Sequence, residues 1–168
     1  HRGAAGDKAE SEWLLPPVPG ERCLARQNAD GGFDVEALAT VTGTDAFVAE
    51  CAILQAMQDV ACRGGAPHGV TLQVLFPMEA EESDVQILVG KVQALCGRVG
   101  LKLEGLQAQV NPAAERLIAS ATVRGQSECL VRMQDAKAGE EIMLCGFAGL
   151  EGSLRIAGER REELEKRF

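Results

Sequence analysis

Apolar residues recur at helical spacing in two stretches of the chain. Over residues 46–62 they fall at three- and four-residue intervals, and the same spacing returns over 83–99. The inward positions are Ala49, Ile53, Met57 and Val60 in the first stretch and Val85, Leu88, Val92 and Leu95 in the second. Thr44 or Asp45 can cap the first helix and Ser83 the second, because a short side-chain oxygen accepts a hydrogen bond from an otherwise unpaired backbone N–H. The pattern predicts two amphipathic helices.

Shorter runs rich in β-branched residues lie around these helices and predict strands. Residues 22–28 and 33–41 flank an Asp30-Gly31-Gly32 turn, which is typical of a hairpin. Further strands are predicted over 69–76, 101–110, 116–123 and 141–147, and a last helix over 153–168. The order predicts an α+β fold, in which two helices pack on one face of a mixed, mainly antiparallel sheet and a C-terminal helix follows.

The two ends of the chain differ in composition from the middle. Residues 1–20 combine small and charged residues with three prolines and predict a flexible arm with one apolar anchor at 13–15. The last predicted helix carries an apolar stripe with little sequence after it, so we expect a second domain or a partner to cover it. The Glu162–Lys166 and Glu163–Arg167 spacings favour supporting ion pairs in that helix.

Charge and composition narrow the function classes. The 168 residues include 17 Lys and Arg against 25 Asp and Glu, and the resulting net charge of −8 repels the phosphates that a nucleic-acid-binding face must attract. Hydrophobic residues make up 46% of the chain, as in globular proteins, but no apolar run is long enough to cross a bilayer. We therefore expect neither a nucleic-acid nor a membrane partner.

The cysteines carry no metal-site signature. The chain has six cysteines without a CxxC pair, and only two histidines, so the clustered ligands of a structural zinc site are missing. Most of the cysteines lie within apolar runs. We interpret them as small buried thiols of a protein in the reducing cytoplasm, not as a disulfide framework.

Several strings resemble the amino-terminal domain of the aminoimidazole ribonucleotide (AIR) synthase superfamily, in particular the AIR synthase-related proteins near the hydrogenase-maturation dehydratase HypE. The resemblance covers residues 20–168. Its strings are TGTD at 42–45, MQDVA at 57–61 with GGAP at 64–67, AGEEI at 138–142 with GLEGS at 149–153, and EEL to RF at 162–168. It implies a domain over 21–136, and the start of the family's second domain over 137–168.

The resemblance also implies ATP-dependent chemistry with Mg²⁺ held by acidic residues, in a cleft built partly by a dimer partner. Most of the matching positions lack that chemistry. Arg22 falls where a metal-binding Asp is expected, Ala39 falls at a second Asp position, and Gln58-Asp59 replaces an Asn-Asp pair. The string Gly-Gly-His-Thr-Glu becomes Gly105-Leu106-Gln107-Ala108-Gln109, which offers no acid, base or charged ligand. We expect no catalytic residues and no metal site; only Asp59 could serve if one survives.

The resemblance leaves a short set of nucleotide-binding candidates. They are Arg22, Thr44, Asp45, Asp59, Gly64 and Gly65. The interpretation is a degenerate, non-catalytic domain without a cofactor that forms a homodimer through its sheet. The alternative is an ATP- and Mg²⁺-dependent enzyme similar to HypE, without its second domain here. A third hypothesis is a metal-free nucleotide sensor that uses Arg22. Substrate and pathway stay open.

Overall fold

The computed structural model describes residues 13–15 and 20–167, and within them six strands form one mixed sheet. The strands are β1 (Trp13–Leu15), β2 (Cys23–Gln27), β3 (Phe33–Gly43), β4 (Ala66–Phe76), β5 (Lys102–Val110) and β6 (Leu117–Ser127). Their order across the sheet is β1-β2-β3-β6-β4-β5. Only the β4–β5 pairing is parallel among these strands. The predicted α+β class with a mainly antiparallel sheet is confirmed.

Helices α1 (Phe47–Cys62) and α2 (Glu82–Val99) cover one face of this sheet and share a single core with it. The predicted periodicity is confirmed in both helices. Alanine lines the contact on both sides, so α1 can lie close to the sheet: Ala49, Ala52 and Ala56 of α1 are fully buried, as are Ala119 and Ala121 of β6. Leu88, Val92 and Leu95 anchor α2.

The start of β4 and the N-terminal cap of α2 differ from the prediction. Strand β4 begins at Ala66 instead of residue 69, because a bulge between Pro67 and Gly69 places the proline where its missing N–H is tolerated. Helix α2 is capped by Glu81, not Ser83. The Glu81 and Asp84 side chains each accept a hydrogen bond from the other's backbone N–H, which satisfies two donors instead of one.

The predicted strand over 141–147 is wrong. The structure shows no strand there, and Ile142 and Phe147 are 100% and 83% exposed. The predicted helix over 153–168 is also wrong in its bounds, since two helices, α3 (Leu150–Glu159) and α4 (Arg161–Glu165), replace it. Within the described part of these helices, Arg160 pairs with Glu163 and Arg161 with Glu165, whereas the two predicted pairs do not form.

Other expectations are met in part. Cys23, Cys51 and Cys96 are buried, whereas Cys62, Cys129 and Cys145 are exposed, so only half of the thiols fill the core. Of the predicted arm over 1–20, residues 13–15 form β1, and 1–12 and 16–19 lie outside the described residues. None of the helices in the described part combines the length and hydropathy needed to cross a bilayer.

Candidate functional site

The six nucleotide-binding candidates fall at opposite ends of α1. Thr44 and Asp45 precede its first residue, whereas Asp59 lies in its last turn, with Gly64 and Gly65 just beyond. Arg22 is paired with Asp59 at that same end. A helix of 16 residues is about 24 Å long, so the two groups cannot contact the same phosphate within one chain.

Arg22 and Asp59 form an ion pair at the C-terminal end of α1. Arg22 Nη1 lies 3.5 Å from Asp59 Oδ1, and the two side chains are 74% and 19% exposed. The Cys23 thiol donates a hydrogen bond of 3.2 Å to the Asp59 carbonyl, which fixes this turn of the helix against the start of β2. The position that the family resemblance assigns to a metal-binding carboxylate therefore holds a cation that neutralises the neighbouring acid.

A second and deeper ion pair lies beside the first. Glu21 Oε2 is 2.8 Å from Arg63 Nη2, and the side chains are only 5% and 9% exposed. Glu21 Oε1 also accepts a hydrogen bond from the Met133 N–H, and the Arg63 carbonyl accepts one from Val131. This arrangement joins three segments that are distant in sequence. Sequence reasoning missed Glu21 and Arg63, and the only signal was that each adjoins a candidate residue.

The glycines at this end of α1 are required by close packing. Gly64 has φ of +79°, and a Cβ built on it would lie 2.6 Å from the Cys129 carbonyl oxygen. A Cβ on Gly65 would lie 2.8 Å from Val60 Cγ1. Both glycines thus have a structural reason that needs no nucleotide. The C-terminal end of a helix also carries partial negative charge, which disfavours a phosphate there.

The carboxylates at this end of α1 do not fit Mg²⁺. Magnesium needs several hard oxygen ligands, but Asp59 and Glu21 are each bound to an arginine. Throughout residues 13–15 and 20–167, no three Asp, Glu, His or Cys side chains lie close enough together to hold a metal ion.

The other substituted positions lie elsewhere in the sheet. Ala39 is buried on the helix-covered face of β3. Gln107 and Gln109 are exposed on β5, four strands away from β2 and so roughly 19 Å distant. Within one chain, the structure does not bring Arg22, Ala39 and Gln107 together.

At the opposite end of α1, Asp45 lies directly before the N-cap residue, Ala46. The Asp45 Oδ1 atom accepts a hydrogen bond of 2.7 Å from the Phe47 N–H. Two cavities of about 330 and 440 Å³ adjoin Thr44, Asp45 and Lys91. Helix α3 borders the smaller cavity and is held over α1 by hydrogen bonds from Gln55 to Glu151. One carboxylate oxygen of Asp45 is thus engaged by the backbone of the first helical residue.

The buried thiols are poor nucleophiles. Burial raises the pKa of the Cys23 thiol to about 11, although the nearby Arg63 acts in the opposite direction. Burial likewise raises the pKa of Cys51 to about 11 and that of Cys96 above its usual value. These three cysteines stay protonated at neutral pH and are suited to filling the core.

The sheet face opposite α1 and α2, here called the open face, has an uncharged centre. Alternation along β3–β6 and β4–β5 points Thr, Ser, Gln and a few apolar side chains outward, with Thr40 and Ser120 hydrogen-bonded across strands at 2.9 Å. The charged side chains on this face, which include the Arg26–Asp34 and Arg124–Glu104 pairs, lie at the end where β3 begins. The centre could therefore face a second protein surface without burying a charge.

Comparisons with known proteins support the fold. No protein-family model matches the chain, and no curated protein matches it. Solved structures similar to it include AaThiL complexed with AMPPCP and TMP, at 20% identity and a TM-score of 0.68, which covers 83% of this chain and 48% of that one. The HypE–HypF complex is 14% identical with a TM-score of 0.51, covering 61% and 35% of the two chains. Thermotoga maritima PurL complexed with ATP is 12% identical with a TM-score of 0.51, covering 65% and 20%.

These neighbours are AIR synthase-related proteins, so the fold expected from the sequence strings is confirmed. The chain spans about half the length of AaThiL and a smaller share of the other two chains. At these identities the similarity establishes the fold alone.

Proposed function

We propose that this chain is an AIR synthase-like domain that has lost the Mg-ATP site of its relatives and functions as a non-catalytic domain that forms a homodimer. The observation that carries the proposal is the open face, because it combines an uncharged centre with the absence of any covering helix among residues 13–15 and 20–167. A sheet of this size normally buries both faces or leaves a strongly polar one in water.

The loss of catalysis is supported by the ion pairs at the end of α1. Arg22 neutralises Asp59 and Arg63 neutralises Glu21, so the two acids nearest the resembled metal site are already engaged. A bound Mg²⁺ would have to displace an arginine from each of them. We therefore propose that neither ATP nor Mg²⁺ is a cofactor.

The area of the open face is sufficient for a dimer. Strands β3, β4, β5 and β6 have nine to eleven residues each. At about 3.3 Å per residue and about 4.8 Å between strands, they present roughly 700 Å² per copy. Two copies that pair over the whole face, including the charged pairs at the end where β3 begins, would bury roughly 1,400 Å², within the range of about 1,200–2,000 Å² found for stable interfaces.

We further propose that residues 137–168 contact a second domain or a partner. Four large apolar residues of this segment are almost completely exposed, namely Ile142, Met143, Leu144 and Phe147. Such a concentration of exposed apolar surface is uncommon on a protein that acts alone. The boundaries proposed remain an arm over 1–20 and a core domain over 21–136.

Sedimentation velocity of the full chain tests the proposed function. We expect a dimer at micromolar concentration, and Thr122→Arg, which places a charge at the centre of the open face, should return it to a monomer. Ile87→Arg is the matched control, since Ile87 is 55% exposed on α2 at the other side of the molecule. A wild-type chain that sediments as a monomer up to 100-fold higher concentration would refute the proposal.

A further inference from the structure

Helix α3 lies across α1 but leaves a cavity between the two helices. Hydrogen bonds hold it there, since Gln55 of α1 donates to both carboxylate oxygens of Glu151, at 2.8 and 2.9 Å, and Arg155 donates to the Thr42 carbonyl. Leu154 of α3 lines the cavity and is still 50% exposed. The space left under α3 is about 330 Å³, which is large enough to hold a small molecule.

The walls of this cavity are mainly apolar. Phe47, Val48 and Cys51 of α1 contribute to them, together with Leu154 of α3. Burial raises the pKa of the Cys51 thiol to about 11, so this side chain is neutral at physiological pH and behaves as a small apolar group. Such walls favour the apolar part of a ligand over water.

Three charged side chains complete the lining, namely Asp45, Lys91 and Arg155. Asp45 and Arg155 are engaged by the backbone, because Asp45 Oδ1 accepts the Phe47 N–H and Arg155 donates to a carbonyl of β3. Lys91 of α2 is exposed and forms no ion pair with any residue of 13–15 and 20–167. Its ammonium group can therefore bind an anionic head group.

We propose that the cavity under α3 binds a small amphipathic carboxylate. The apolar chain of this ligand contacts Phe47, Val48 and Leu154, and its carboxylate pairs with the Lys91 ammonium. The apolar walls favour a ligand with an alkyl or aryl body, and the unpaired lysine favours an anion over an amine. The site borders the N-terminal end of α1, so it depends neither on the ion pairs at the other end of that helix nor on the proposed dimer.

Isothermal titration calorimetry of the full chain with octanoate, octanol and octylamine tests the proposal, because these probes share one chain and differ in charge. We expect octanoate to bind about tenfold more tightly than octanol, and octylamine to bind more weakly than either. Lys91→Met should remove the preference for octanoate and leave the affinity for octanol unchanged. Lys102→Met is the matched control, because Lys102 begins β5 and does not line the cavity.

A second pair of variants tests the location of the site. Leu154→Trp places an indole ring at the cavity wall and should weaken octanoate binding by about tenfold or more. Ile156→Trp adds the same ring to a 60% exposed position of α3 outside the lining and should have no effect. Both positions are exposed, so each variant should fold. Octanoate should also slow amide hydrogen exchange in α3, because the ligand contacts this helix and the core together.

Three results would overturn the proposal. The first is a wild-type chain that shows no binding of octanoate up to millimolar concentration. The second is octanol binding as tight as octanoate binding, or a preference for octanoate that survives in Lys91→Met. The third is octanoate binding that survives in Leu154→Trp but is lost in Phe147→Ser, which would place the probe on the exposed apolar segment instead. All three leave the proposed dimer untouched.

Discussion

The guanidinium of Arg22 lies 3.5 Å from the carboxylate of Asp59, across the gap between the start of β2 and the last turn of α1. This pair stands where the family resemblance expects carboxylates that share a metal ion. An arginine cannot be deprotonated in a protein, so its charge is permanent. The acid that remains is thereby satisfied without a cation from solution.

Removing this pair should change stability little. Arg22→Ala and Asp59→Asn are each expected to lower the free energy of unfolding by less than about 1 kcal/mol, because the Arg22 side chain is 74% exposed and solvent screens its 3.5 Å contact with Asp59. Urea denaturation followed by circular dichroism measures this. A loss above about 2 kcal/mol would contradict this prediction and show that the pair contributes substantially to the stability of the fold.

The buried pair of Glu21 and Arg63 should behave differently. Arg63→Met leaves Glu21 buried without its partner and is expected to cost about 3–5 kcal/mol. Adding Glu21→Leu to Arg63→Met should recover much of that loss, since apolar side chains of similar size need no counter-charge. The same urea titration provides the readout. If the double variant is less stable than Arg63→Met alone, the pair contributes more than mutual neutralisation.

Gly64 should be intolerant of any side chain. Gly64→Ala is expected to destabilise the protein by about 2 kcal/mol or more, because φ of +79° disfavours a Cβ and that Cβ would collide with the Cys129 carbonyl oxygen. Gly97→Ala in α2 is the control. It has open space around it and should stabilise the helix by about 0.5–1 kcal/mol. Equal effects from the two changes would argue against the proposed close packing.

Because of its buried thiols, the folded protein should lose stability in alkaline solution. The pKa of Cys23 and of Cys51 is about 11 in the folded protein and 9.0 in the unfolded chain. Between these two pH values the folded state therefore retains a thiol proton that the unfolded state releases. The contribution of these two thiols to the free energy of unfolding is complete below pH 9. It decreases as the pH rises from 9 to 11, by at most about 1.4 kcal/mol per pH unit for each thiol.

The measurement is the free energy of unfolding in urea at pH 8 and at pH 10. The Cys23→Ala and Cys51→Ala variants should each show a smaller difference between the two pH values than the wild type. Cys145→Ala is the matched control, because Cys145 is exposed and should leave the difference unchanged. A wild-type protein that is more stable at pH 10 than at pH 8 would contradict this prediction.

The core of the fold was predictable because its elements are specified locally. The spacing of Ile53 and Val60 and the Asp30-Gly31-Gly32 turn each constrain a few neighbouring residues, and the sheet follows from them. The strand over 141–147 failed for the opposite reason. An apolar run after a glycine turn suits a strand. A strand exists only where a neighbour supplies hydrogen bonds, however, and Ile142 has no such neighbour among the described residues.

The candidate site was predictable only in part. The substitution at Arg22 could be identified from sequence, but its pairing with Asp59 needs the approach of segments 37 residues apart. Glu21 and Arg63 are even less accessible to sequence reasoning, since nothing about an isolated Glu or Arg indicates burial. The separation of Thr44 and Asp45 from Gly64 follows from the length of α1, which the periodicity had already indicated.

Isothermal titration calorimetry of the full chain with ATP, in the presence of Mg²⁺ and again with EDTA, shows whether this domain still binds Mg-ATP. Because both acids near the end of α1 are bound by arginines, we expect no binding heat that depends on magnesium at ATP concentrations up to the millimolar range. Binding that persists in EDTA and is lost in Arg22→Ala would instead identify a metal-free nucleotide sensor. Saturable binding of ATP that depends on magnesium would refute the loss of the Mg-ATP site and restore an ATP-dependent enzyme as the function.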